Sequence, residues 1–111
     1  MYNGVIIKES LSDELILDLV EAEKTELWKT NYSPKYWTAV YFISKVKNFP
    51  EQLSKALTGN WFVDMKVDTT KIIVFKDKIL KYEIGNIEEK SWVCDECRKM
   101  GIPDNQMNWE E

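Results

Sequence analysis

The chain has 111 residues, 44% apolar and 31% charged, enough for one domain that buries roughly two thirds of its unfolded surface. No apolar run approaches the roughly 20 residues that cross a bilayer, and no basic segment leads into a long apolar stretch, so a cytoplasmic protein with no membrane partner is expected. There is no histidine, which removes the commonest general base and zinc ligand, and two cysteines are too few for a disulfide framework.

In chain order, Gly4-Val5-Ile6-Ile7-Lys8 reads as a first strand. Ser10 with Asp13 makes a capping-box pattern, and Leu11, Leu15, Ile16 and Leu19 then share one helical face, which predicts a helix. The good helix formers at 20–27 would let that helix reach about residue 29. Leu27-Trp28-Lys29, the loop Asn31-Tyr32-Ser33-Pro34-Lys35 and Tyr36-Trp37 read instead as strand, loop and strand. Both readings stay open from the residues, and the hairpin is favoured.

Residues 36–46 are apolar on both alternating sets, as in a central strand with both faces at least partly covered. Pro50 suits a first helical residue, Leu53, Ala56 and Leu57 form a stripe, and Gly59 closes that helix. From Asn60 the chain alternates, with Trp61, Val63, Met65 and Val67 inward and Asp64, Lys66 and Asp68 outward. Asp68-Thr69-Thr70 and Lys76-Asp77-Lys78 turn it into two further strands, 71–76 and 79–84. After Gly85-Asn86 a helix runs to about Met100. Gly101 then needs a positive φ, Ile102 packs back on the last turn and Pro103 stops the helix. Asp104 or Asn105 turns the chain again through its side chain, and Met107 and Trp109 are expected to dock.

The net charge of −4 is unevenly distributed. Residues 1–26 carry 7 acids and 2 bases, residues 27–82 carry 4 acids and 10 bases, and residues 83–111 carry 8 acids and 3 bases, giving −5, +6 and −5. A basic middle rich in aromatic residues points weakly to nucleic acid through a lysine-rich sheet face that includes Lys66 and Lys71. Its bases are all lysine, however, whereas nucleic-acid sites favour the bidentate guanidinium. A solvated face that blunts sheet edges is the better reading, and nucleic acid is disfavoured as a partner.

Cys94-Asp95-Glu96-Cys97 invites a redox or metal reading. It sits two turns into its helix with two carboxylates between the sulfurs, against thiolate formation. A structural zinc would need a second chain, since one cysteine pair and no histidine leave two ligands missing. The helical period places Ile87, Val93, Cys94, Cys97 and Met100 in one arc, which favours core packing. Asp64 and Asp68 lie about 13 Å apart along one strand face, too wide for paired carboxylates, and read as solvated. The serines have no histidine to activate them, and no glycine-rich phosphate loop is present. The five tryptophans suit core and cross-strand packing, although Trp28 and Trp37 beside a loop could line a groove.

Gly59-Asn60-Trp61-Phe62-Val63-Asp64, Ile73-Val74-Phe75-Lys76-Asp77-Lys78 and Gly101-Ile102-Pro103-Asp104-Asn105-Gln106-Met107-Asn108-Trp109 resemble, in order and spacing, a family of small uncharacterised bacterial proteins. That family carries a Gly-x-Trp-aromatic-x-Asp strand, a Val-Val-Phe strand and a closing Gly-Ile-Pro-x-x-Gln-x-x-Trp. The likeness spans residues 59–109, about half the chain. It implies an α+β domain, supports the hairpin at 20–46 and supplies no activity; the Cys-x-x-Cys pair is outside its pattern.

The fold expected is α+β: a single largely antiparallel sheet of five or six strands with two or three helices packed on it. The role expected is a non-catalytic binding or accessory domain without a cofactor, its partner undefined and a protein or a second copy both open. The candidate binding surface comprises Trp28, Trp37, Lys66, Lys71, Gln106 and Trp109. The alternatives are weak nucleic-acid binding through the lysine-rich face, and thiol redox or metal chemistry at Cys94 and Cys97.

Overall fold

The computed structural model describes residues 1–31, 33 and 35–111, so Tyr32 and Pro34 of the expected loop lie outside the described residues. The β-branched and aromatic runs pair into six strands: β1 (Tyr2–Ile7), β2 (Glu21–Lys29), β3 (Tyr36–Ser44), β4 (Phe62–Val67), β5 (Thr70–Phe75) and β6 (Lys78–Glu83). They form one sheet in the order β2-β3-β1-β4-β5-β6, and every neighbouring pair is antiparallel. Two α-helices, α1 (Phe49–Ala56) and α2 (Ile87–Lys99), pack on it, which makes the fold α+β. Short 3-10 helices cover Lys8–Ser10, Glu14–Leu19 and Asp104–Gln106. Among the described residues no helix is long and apolar enough to cross a membrane.

Because successive strand residues point to opposite faces, each face has its own core. On the first face Ile6, Phe42, Val63, Met65, Ile72 and Val74 meet Phe49, Leu53, Ala56 and Leu57 from α1 and its end. On the second face Ile73, Phe75, Leu80 and Tyr82 meet Val93 and Cys97 of α2 and Ile102, Met107 and Trp109 of the tail. Each large aliphatic or phenylalanine side chain among them contributes about 1.5–3 kcal/mol by leaving water. The second core covers only β4, β5 and β6. Over β1, β2 and β3 the same face is open, and all nine residues of β2 are exposed.

The hairpin at 20–46 forms, and the helical alternative at 20–29 is overruled by cross-strand pairing such as Trp28↔Trp37 and Leu27↔Thr38. As an edge strand β2 carries Glu21, Glu23, Lys24, Glu26 and Lys29 and a bulge between Ala22 and Lys24, both of which discourage further strand addition.

The helix expected from Ser10 to Leu19 does not form as an α-helix. The Ser12 N–H donates to the Ala56 carbonyl (2.7 Å), the Thr58 N–H donates to the Ser10 carbonyl (2.9 Å), and Leu11 bridges Leu57. These tertiary bonds take the backbone groups that an i→i−4 ladder would use. A 3-10 helix follows, capped by Asp13, whose carboxylate accepts from the Leu15 N–H (3.0 Å). Its tighter period buries Ile16 and leaves Leu15 outside, 71% exposed. Ile87, also expected inward, is 83% exposed because it opens α2 beyond the edge of the second core.

The end of α2 follows its sequence. Gly101 takes φ +84, its N–H donates to the Arg98 carbonyl, and the Ile102 N–H reaches back to the Cys97 carbonyl (3.1 Å), the paired bonds of a Schellman cap. Ile102 packs into the second core. The tail then turns through main-chain bonds at Asp104–Gln106, while the Asp104 side chain, expected to make that turn, accepts instead from Arg98 Nε (2.8 Å).

Candidate functional site

The open half of the second face becomes a groove at the middle of the sheet. The register between β1 and β4 runs for only two pairs, Asn3↔Lys66 and Gly4↔Met65. Gly4 permits this approach, since a Cβ there would lie 2.7 Å from the Asp64 carbonyl oxygen. Beyond it Val5 and Ile7 floor a groove of about 1020 Å³, with Trp28, Trp37 and Tyr41 from the hairpin on one side. Asn60 and Trp61 from the segment before β4, and residues 105, 106 and 108–111 of the tail, line the rest. That volume is at the upper end for small-molecule sites.

Trp37 and Trp61 meet edge to face, with ring centroids 4.8 Å apart at 70°. Trp61 was expected inward with Val63 and Met65. The strand begins only at Phe62, so the alternation does not reach back to it, and its ring turns to the second face. On the rim Lys24 Nζ sits 4.3 Å from the Tyr41 ring centroid and 3.7 Å from Glu26 Oε2, and the Trp28 indole donates to Glu26 Oε1 (3.2 Å). Hydrogen bonds from Tyr41 and then Trp28, with Lys24 nearby, hold the Glu26 carboxyl below the usual range.

The wall opposite is a clamp of charges around the tail. Lys71, expected on a solvated face, is 4% exposed and bonded to Asp64 Oδ2 (2.8 Å) and to the Glu110 carbonyl. Asp64, also expected to be solvated, is drawn into this pair because the tail covers the strand face that both residues share. Lys66 Nζ donates to the Glu111 carbonyl (2.8 Å), and the Tyr82 hydroxyl donates to Glu111 Oε2 (2.6 Å), with Lys90 Nζ 3.4 Å away. The Tyr82 bond, aided by Lys90 and Lys71, lowers the Glu111 pKa, while burial and that same bond raise the Tyr82 pKa. Trp109 packs on Tyr82, ring centroids 6.1 Å apart. Its Nε1 is the buried side-chain polar atom without a hydrogen-bond partner among the described residues.

All six residues of the candidate binding surface, Trp28, Trp37, Lys66, Lys71, Gln106 and Trp109, therefore line one groove. Tyr41, Asn60, Trp61 and Asn108 complete it without having been singled out from the sequence. Tyr41 and Trp61 read there as packing residues, and nothing local marks an amide as facing a groove.

Cys94 and Cys97 lie elsewhere, beneath α2. Cys97 is fully buried and its thiol is pushed up to about 11, chiefly by burial, the direction opposite to that of a nucleophilic thiol. Cys94 is half-buried against the same core. Among the described residues no three histidine, cysteine or acidic side chains converge as metal ligands would. A second, more open depression of about 500 Å³ lies between β6 and the first turns of α2, beside the exposed Trp92.

The chain matches no family model, no curated protein and no solved structure. The groove's own chemistry consists of partly exposed aromatic rings, amides, and charged groups that already have partners.

Proposed function

We propose that the chain is a non-catalytic binding domain whose site is this groove. One observation carries the reading. The second face is covered over β4–β6 by α2 and the tail and has no covering element over β1–β3, where the exposed Trp28 and the half-buried Trp37 and Tyr41 face the groove beside Trp61. Large aromatic surface at a concave site is costly to leave in water unless something occupies it.

Binding of nucleic acid through the lysine-rich face is the weaker reading. Lys66 and Lys71 are bonded to the acidic tail, so phosphates would have to displace Asp64 and two carbonyl groups. Salt-dependent binding to mixed-sequence RNA or DNA is therefore not expected at physiological salt. A crystallographic screen with small polar and aromatic fragments tests the site directly. Fragments should collect between Trp28, Trp37 and Trp61. Collection beside Trp92 instead, with an empty groove, would refute the assignment.

A further inference from the structure

We infer that the groove takes a neutral oligosaccharide. This rests on the groove being the binding site and concerns what enters it. Its charges are largely spent: Lys71 on Asp64 and the Glu110 carbonyl, Lys66 on the Glu111 carbonyl, Glu111 on Tyr82 and Lys90. Among the described lining residues both lysines already have hydrogen-bond partners, Lys71 with an ion pair besides, and the Glu110 carboxylate is the acidic side chain left unengaged.

The groups left over are uncharged. Asn3, Asn60, Asn105, Gln106 and Asn108 line the groove, are exposed, and make no side-chain hydrogen bond to another described residue. A carboxamide both donates and accepts, as does each hydroxyl of a sugar, so amides match a polyol where ions do not. The rings supply the other half of the recognition. A pyranose has flat faces of C–H groups flanked by equatorial hydroxyls, and it stacks on an indole while its hydroxyls reach the surrounding amides. Trp37 and Trp61, edge to face at 70°, both line the groove and form an aromatic corner on which a sugar ring can stack. At about 1020 Å³ the space suits several linked sugars better than one.

The test is an indole-resolved NMR titration of the ¹⁵N-labelled protein, with affinities from calorimetry. The probes are chitohexaose, cellohexaose and maltohexaose, compared with hexa-arginine, hexaglutamate and a deoxythymidine hexanucleotide. At least one sugar should shift the Trp28, Trp37 and Trp61 signals and leave Trp92 in place. Its affinity should change less than about twofold as salt rises, since a neutral ligand has no charge to screen. Trp37→Ala should weaken it about tenfold or more, the loss of one stacked ring. Asn60→Ala and Asn108→Ala, at exposed positions where folding is not at stake, should each weaken it measurably. If no sugar moves the three indoles but a peptide or the oligonucleotide does, the ligand class is wrong and the groove stands. If no probe moves them, both readings fall.

Discussion

Trp109 concentrates the energetics of the tail in one side chain. Its ring is 8% exposed against Tyr82, so Trp109→Ala should cost about 3–5 kcal/mol in urea unfolding. Trp109→Phe should cost less than about 1.5 kcal/mol, because it keeps a ring and removes a buried donor without a partner. Equal losses from the two variants would mean that the indole N–H is satisfied. Two residues away, Glu111 makes docking pH-dependent. Its bond from Tyr82 holds its folded pKa below the ordinary carboxylate range, so its contribution is present above the unfolded pKa and lost as pH falls through the folded pKa. Acid titration should therefore loosen the tail, seen as a shift in Tyr82 and Trp109 NMR signals, and Glu111→Gln should flatten that step. For the thiols, Cys94 should react with a thiol reagent before Cys97, which should wait for unfolding. Trp109 was legible because Gly101-Ile102-Pro103 aims the chain back at the sheet. Lys71 was not: its partners are Asp64 on the next strand and a carbonyl 39 residues away, and no local pattern reveals either.

Among the elements, those with strong periodicity were legible. The hairpin turns of β4–β6, the stripe of α1 and the cap of α2 each depend on residues close in sequence. The segment 8–20 was misread because its backbone partners, Ala56 and Thr58, lie more than 40 residues on, and no helical pattern encodes that competition. The same distance effect governs the β1–β4 junction. Gly4→Ala would press a methyl group on the main chain at Asp64, which cannot rotate away, and should cost about 1–3 kcal/mol by thermal or urea unfolding. A neutral outcome would show that β1 and β4 approach less closely. Deleting residues 104–111 should cost more than Trp109→Ala alone, because it also exposes the second core and strips Lys71 of its carbonyl partner. If the truncated chain melts with the full-length one, the tail does not hold the fold.

At the scale of the whole molecule, the sequence predicted a sheet with helices on it but not how the covering elements are shared between its faces. The tail folds onto the basic middle, where its main-chain carbonyls accept from Lys66 and Lys71, and one half of one face is left without a cover. The six candidate surface residues were legible one by one as aromatic, basic or terminal, whereas their convergence depends on β3 lying beside β1 and on the tail crossing β5. The proposed site exists only because of that uneven coverage. It can be measured without any ligand, by adding a soluble paramagnetic chelate and following the tryptophan ring signals. The Trp28, Trp37 and Trp61 rings should be attenuated together with Trp92, while the Trp109 ring is spared. If the Trp37 and Trp61 rings are as protected as Trp109, the groove is closed in solution and the proposed site is wrong.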